Sequence, residues 1–381
     1  MTKIDGTCDD RFAKVRAAFA DNFSERSDVG AAVAVTHNGR PVVDLWGGAA
    51  DESGRPWQHD TLVNVWSTTK GMTSLCAHIL VDRGELDLDA PVARYWPEFA
   101  AAGKEGVLVR WVLSHRTGLS GLTTPTVATD YEDWDKICGL LAAQAPIWEP
   151  GTQSGYQAIT FGYLVGEIVR RITGVSLGAF FSKEIAAPLG ADIYIGLPVI
   201  DHDRCADLTE IVMSAQMAAD MAQMFANATP AALAALTNPM LSPRDANLTG
   251  WRAAEIPAAN GQATARGLAR VYAALAAGGE IDGVRLVSAE AVERMREIQV
   301  TNPDLVLMLP VSWGLGYVVG GELGAYGPNP RSFGHDGWGG SFAMADPENG
   351  LAVAWVMNRM GGVLNGDPRK LAILEAVYAS I

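Results

Sequence analysis

Phe12, Val15, Phe19 and Phe23 recur at intervals of three and four residues after the acidic pair Asp9-Asp10, the spacing of one helical face, and predict an amphipathic opening helix. The period then changes. The stretch A-A-V-A-V-T-H-N-G-R-P-V-V-D-L-W-G-G sets two β-branched runs on either side of Asn38-Gly39. Both turn positions accept positive φ, so the stretch predicts a tight β-hairpin. Beyond Ser67 the helical period returns: Met72, Leu75, Cys76, Ile79 and Leu80 share a face until Gly84 ends the run. Phe161, Leu164, Val165, Ile168 and Val169 mark the clearest helix of the middle region, stopped near Thr173-Gly174. Leu268, Val271, Tyr272 and Leu275 mark another, closed by Gly278-Gly279. Strand patterns then reappear over Trp313–Val319, Gly340–Ala345 and Leu351–Asn358, the last two joined by D-P-E-N-G, and a closing helix starts near Pro368.

Strands at both ends with helical pieces between them predict one sheet assembled from both termini. The expected architecture is an α/β (α+β) domain, discontinuous over residues 1–72 and 262–381, holding an inserted, mostly helical domain over residues 73–261. A cleft between the two is the default location for a site. No internal repeat or low-complexity linker interrupts the pattern.

Composition narrows the function. Apolar residues make up 49% and charged residues 19% of the 381 positions, enough for a large core. The net charge of −14 argues against nucleic acid and anionic membrane surfaces as partners, since both select clustered Lys and Arg. No apolar run approaches the ~20 residues of a membrane helix. The N-terminus M-T-K-I-D-G-T-C-D-D lacks the apolar core of a secretory signal, which predicts a cytoplasmic protein. Cys8, Cys76, Cys138 and Cys205 are widely spaced, with no C-x-x-C and no neighbouring His at zinc-ligand spacing, and read as free thiols in a reducing compartment. A homo-oligomer is compatible with all of this.

Candidate chemistry begins at V-W-S-T-T-K-G-M, where Ser67 and Lys70 sit three apart at the start of a helical pattern. On a helix, residues three apart stack on one face, and a lysine amine can reach the serine hydroxyl. An ordinary lysine is a poor base at neutral pH. Burial beside a helix N-terminus would lower its pKa and leave an amine able to take the Ser67 proton. The bland alternative is Ser67 as a helix N-cap and Lys70 as a solvated surface residue. No G-x-S-x-G elbow occurs. A Ser-His-Asp triad on His335-Asp336 also fails, because adjacent strand residues point to opposite faces.

Two further stretches matter. E-P-G-T-Q-S-G-Y-Q-A-I-T-F-G-Y-L-V-G-E places Tyr156 in a Gly-rich loop just before the helix of Phe161, well placed to share a proton with Lys70. F-G-H-D-G-W-G-G-S-F-A-M-A-D-P alternates glycines with His335 and Trp338 at a strand edge, which suggests close backbone approach by a ligand.

In this order, with L-S-H-R-T-G-L at Leu113–Leu119 and P-G-T at Pro150–Thr152, the stretches resemble the serine β-lactamase and penicillin-recognising superfamily, above all the family VIII carboxylesterases related to class C β-lactamases. The resemblance spans nearly the whole chain. It implies a β-lactamase/transpeptidase-like fold, with an antiparallel sheet flanked by helices. It implies Ser67 as nucleophile, Lys70 as its base partner and Tyr156 as proton relay, with the backbone N–H groups of Ser67 and Trp338 as the oxyanion hole. His335, Gly337, Trp338 and Gly339, with Trp66, are then expected to line the substrate cleft. No metal and no organic cofactor is implied.

The departures from the family pattern shape the expected substrate. Class C β-lactamases carry an asparagine two residues after the tyrosine; here Ala158 stands there, and no Tyr-x-Asn occurs in the chain. His335 replaces the lysine that steers the β-lactam carboxylate. A neutral ester needs neither group. The expected activity is therefore a carboxylesterase acting on small neutral acyl esters. A β-lactamase or D-alanyl amidase, an acyltransferase of the same fold, and a binding protein that has lost the chemistry remain as alternatives.

Overall fold

The computed structural model describes residues 2–211, 214–320, 325–362 and 366–381. A seven-stranded antiparallel sheet joins the two ends of the chain. Its strands are β1 (Ile4–Cys8), β2 (Gly30–His37), β3 (Arg40–Gly48), β4 (Val318–Val319), β5 (Phe333–Asp336), β6 (Phe342–Asp346) and β7 (Leu351–Met357), in the order β1-β3-β2-β7-β6-β5-β4. The β2–β3 hairpin turns at Asn38 and Gly39, whose φ values are 51° and 75°, as the dipeptide predicts. β7 pairs antiparallel with β2, setting Val33 against Trp355 and Val35 against Val353, so early and late residues meet at the sheet centre. Every residue of β7 is buried, which requires cover on both faces of the sheet.

Five helices frame the account: α1 (Ala13–Ser24), α2 (Thr69–Asp82), α3 (Thr160–Thr173), α4 (Ala265–Ala276) and α5 (Pro368–Tyr378). α4 packs on β2, β6 and β7, and α1 packs on α5. α3 ends at Gly174, in the left-handed conformation that closes a helix. Leu164, Val165, Ile168 and Val169 fill the space between α3 and its neighbours. Among the described residues no helix is long and apolar enough to cross a membrane.

α2 differs from its sequence pattern in an informative way. The spacing predicts one buried face, yet Thr69 through Leu80 are all buried. Several of its polar side chains bond to protein instead of water: Ser74 Oγ donates to the carbonyls of Lys70 (2.7 Å) and Gly316 (3.1 Å), and a His78 ring nitrogen lies 2.8 Å from the Leu315 carbonyl. The helix therefore runs through the interior with its N-terminus delivered from inside the protein.

Three boundaries shift. The expected strand over Trp313–Val319 shrinks to Val318–Val319, because the Gly314 N–H donates to the Tyr317 carbonyl (2.9 Å) and Gly316 takes φ +88°, forming a turn. β6 begins at Phe342, since Gly339 and Gly340 (φ +89° and +125°) carry a turn that extended backbone cannot follow. β1, with only Ile4 and Cys8 as apolar residues in five, is an edge strand whose weak pattern went unread.

Candidate active site

The segment Trp66–Thr68 forms a single tight turn leading into α2. Trp66 has φ +44°, a region that a bulky L-residue occupies only when its surroundings hold it there. They do so through inclined ring contacts and a hydrogen bond. The Trp66 ring is buried between Trp251 (5.4 Å) and Trp338 (4.9 Å), and Thr69 Oγ1 donates to the Trp66 carbonyl at 2.6 Å. The result is a serine that stays partly accessible while Val65, Trp66, Thr68, Thr69 and Lys70 are all buried. Ser67 is not an N-cap: Thr68 holds that position, and no side chain caps the helix.

Lys70 is fully buried. Its Nζ lies 2.9 Å from Ser67 Oγ and donates to the carbonyls of Ala158 (2.7 Å) and Ala258 (3.0 Å). Among the described residues no carboxylate pairs with it. Burial alone therefore pushes its pKa well below the usual lysine value. With two carbonyls engaged, Nζ keeps one further position, and that position faces Ser67 Oγ.

Tyr156 closes the third side. Its ring stacks on Trp313 (5.6 Å between centroids, 4° between planes), meets His115 edge-on at 5.1 Å, and lies 4.7 Å from Lys70 Nζ. Burial raises the phenol pKa, and a polar contact with Ser67 pulls it back. The loop carrying Tyr156 is fixed from two directions. The Tyr156 N–H donates to Asp304 Oδ1 (2.9 Å), the Gly155 N–H to the His115 carbonyl (2.9 Å), and the Gln157 N–H to His115 Nδ1 (3.2 Å). Asp304 is itself buried and accepts from the Val306 and Leu307 N–H groups and from Trp313 Nε1.

The Gly-rich stretch after β5 lies against the nucleophile turn. Ser341 Oγ donates to the Val65 carbonyl at 3.0 Å, Thr68 Oγ1 donates to the Ser341 carbonyl at 3.2 Å, and a Cβ on Gly337 would sit 2.2 Å from the Val65 carbonyl oxygen. Only glycine permits that approach. Among the described residues, neither the Ser67 nor the Trp338 N–H has a hydrogen-bond acceptor. Trp338 is half-buried; Gly339 is buried under Met360, and its carbonyl is already engaged by the Gly361 N–H at 2.8 Å.

His335 is buried, with Nδ1 2.8 Å from the Asp336 carbonyl and Nε2 without a partner among the described residues. Burial, reinforced by Lys70, pushes its pKa down to about 3, so the ring is neutral at physiological pH. The Asp336 carboxylate turns away to Lys370 Nζ (2.7 and 2.8 Å), so it does not orient His335.

The structure thus gathers Ser67, Lys70, Tyr156, His335 and the 337–339 backbone around one centre, and sinks the Trp66 ring into the wall behind it. Asp304, His115 and Trp313 were not singled out from the sequence. Asp304 carried a readable signal, as a lone charge immediately before the apolar run L-V-L-M-L-P-V. Among the described residues no cluster of three or more His, Cys, Asp or Glu side chains has the arrangement to hold a metal ion.

Comparison with known proteins gives consistent relatives. The Beta-lactamase family model matches residues 19–378. The esterase/beta-lactamase LipL of Mycobacterium tuberculosis is 41% identical over 377 residues, covering 94% of this chain and 83% of the relative. The crystal structure of a family VIII carboxylesterase superposes with a TM-score of 0.93 at 43% identity over the full length of both chains. A penicillin-binding protein homologue from Caulobacter crescentus superposes equally well, with the same identity and coverage.

Proposed function

The chain belongs to the Beta-lactamase family and is a hydrolase of that fold, and from this premise we propose that it is a serine carboxylesterase for small neutral acyl esters, working through an acyl-enzyme on Ser67. The observation that carries the proposal is the setting of Lys70: buried, without a carboxylate partner among the described residues, bonded to two carbonyls and 2.9 Å from Ser67 Oγ.

In this reading the Ser67 proton passes to Lys70 as Oγ attacks the acyl carbon. The oxyanion that develops is held by the N–H groups of Ser67 and Trp338, donors aimed at charge that exists only in the intermediate. When the ester C–O bond breaks, the Tyr156 phenol gives its proton to the departing alkoxide and recovers one from Lys70. Water then attacks the acyl-enzyme, losing a proton through Tyr156 to Lys70, and the acid leaves as Ser67 regains its hydrogen. The sum is ester plus water to acid plus alcohol. We assign residues 1–72 and 262–381 to the part that supplies Ser67, Lys70 and Trp338, and residues 73–261 to the insert that supplies Tyr156.

Electrostatics favour a neutral substrate. A neutral His335 provides no cation for a carboxylate. Lys370 and Arg369, the cations behind the Gly-rich turn, are matched by Asp336, Asp28 and Asp367. Ala158 offers no side-chain amide partner, and its carbonyl is occupied by Lys70. Replacing Ser67 by Ala tests the assignment: hydrolysis of p-nitrophenyl butyrate should fall to the uncatalysed rate with thermal stability retained. Turnover at the wild-type rate would defeat it.

A further inference from the structure

The turn that follows β5, Gly337-Trp338-Gly339-Gly340, is three-quarters glycine and takes positive φ at Gly339 and Gly340. Such a segment is loose by nature. An oxyanion donor, by contrast, must be held in place before charge develops. The turn is closed by its own backbone bonds, Gly337 N–H to the Ser341 carbonyl (2.6 Å) and Gly340 N–H to the Gly337 carbonyl (3.1 Å), and two consecutive side chains at the start of α5 touch its two ends.

At the entry, Lys370 Nζ donates to both carboxylate oxygens of Asp336 (2.8 and 2.7 Å). That ammonium is buried and lies 4.4 Å from the Tyr326 ring centroid and 5.3 Å from that of Phe342. At the exit, Arg369 Nη2 donates to the Gly339 carbonyl at 2.7 Å. The other four N–H groups of Arg369 are also used: Nη2 to Asp367 Oδ2 (2.6 Å), Nε to Asp367 Oδ1 (3.1 Å), and Nη1 to Asp28 (2.9 Å) and to the Arg359 carbonyl (2.8 Å). The guanidinium lies over Trp355 at 5.0 Å, anchored to the sheet centre. With all five donors engaged, it has one orientation. Between the two held points sits the Trp338 N–H, without an acceptor among the described residues.

We propose that Arg369 and Lys370 are positioning residues that clamp the Asp336–Gly339 turn at both ends and thereby aim the Trp338 N–H at the developing oxyanion; this rests on the serine esterase reading above. Neither side chain touches substrate in this proposal. Their effect passes through the backbone of the turn, so it falls on the chemical step and not on ester binding.

The test compares wild type with Lys370→Met and Asp336→Asn, each of which releases the entry point. A fluorophosphonate probe titrates the competent active sites, and kcat and KM for p-nitrophenyl butyrate are expressed per titrated site. A clamp predicts that kcat per site falls roughly tenfold or more in both variants with KM almost unchanged, and that phosphonylation slows in parallel, because it too builds charge on that oxygen. A purely structural role would reduce the number of titratable sites or the melting temperature but leave kcat per site within about twofold of wild type, and that result overturns the proposal. A change confined to KM overturns it as well, by assigning the pair to substrate binding. Where Lys370→Met fails to fold, Asp336→Asn decides the matter. A wild-type protein inert to both ester and probe would instead remove the esterase reading itself.

Discussion

Replacing Tyr156 by Phe isolates one oxygen atom. The ring should stay where it is, since its stack on Trp313, its edge contact with His115 and the backbone bond to Asp304 do not involve the hydroxyl. What disappears is the phenol contact with Ser67. Stability should change by no more than about 1 kcal/mol, because the ring packing is kept and one buried polar group no longer needs a partner. Catalysis should change far more. A positioned proton relay contributes about 10²–10⁴ in rate, so the barrier should rise by roughly 2.7–5.5 kcal/mol at 1.36 kcal/mol per decade. Steady-state hydrolysis of p-nitrophenyl butyrate beside thermal unfolding separates the two effects. A Tyr156→Phe enzyme with kcat within about threefold of wild type would refute the assignment of the phenol as proton relay.

Two further outcomes follow from the supporting residues. Asp304→Asn turns an amide NH₂ either toward Trp313 Nε1, now bonded to Oδ2, or toward the Tyr156, Val306 and Leu307 N–H groups, now bonded to Oδ1. It should lower stability by about 1–3 kcal/mol and reduce kcat through the displaced Tyr156 loop; a variant as stable and as active as wild type would contradict this. Asp28 is a buried carboxyl whose pKa burial raises to about 7 despite Arg369, with Asp367 competing for the same guanidinium. Its folded pKa lies above its unfolded one, so its contribution to stability is fully present at acid pH and is lost as pH rises through about 7. The melting temperature of wild type should fall between pH 5.5 and 8.5 more steeply than that of Asp28→Asn, and equal slopes would discount the shift.

Much of this arrangement is readable along the chain. The hairpin at Asn38-Gly39, helices α1, α3, α4 and α5, and the β6–β7 pair follow from period and turn chemistry, both of which are local. Ser67, Lys70 and Tyr156 could be named because three ordered motifs carry a family resemblance, and the structure brings the three side chains together. Burial was not readable. Lys70 and Lys370 look like surface lysines in sequence, and only tertiary packing encloses the first without a counter-ion among the described residues and pairs the second with Asp336. The turn at Gly314–Tyr317 was hidden for a related reason. The aromatic and β-branched residues around it fit a strand, and Gly316 decides otherwise only through a φ that the sequence leaves open. Arg369 holding Gly339 is a contact across 30 residues, beyond the reach of any local pattern.

The protonation state of Lys70 is the quantity on which the whole account turns. With side-chain-labelled lysine, the Nζ and Cε resonances of Lys70 can be assigned by comparison with Lys70→Met and followed through a pH titration. Lys70 should be a neutral amine at pH 7, acquiring its proton only under more acid conditions, in step with the acid limb of kcat/KM. A Lys70 that stays an ammonium up to the ordinary lysine pKa of about 10.4 would contradict it.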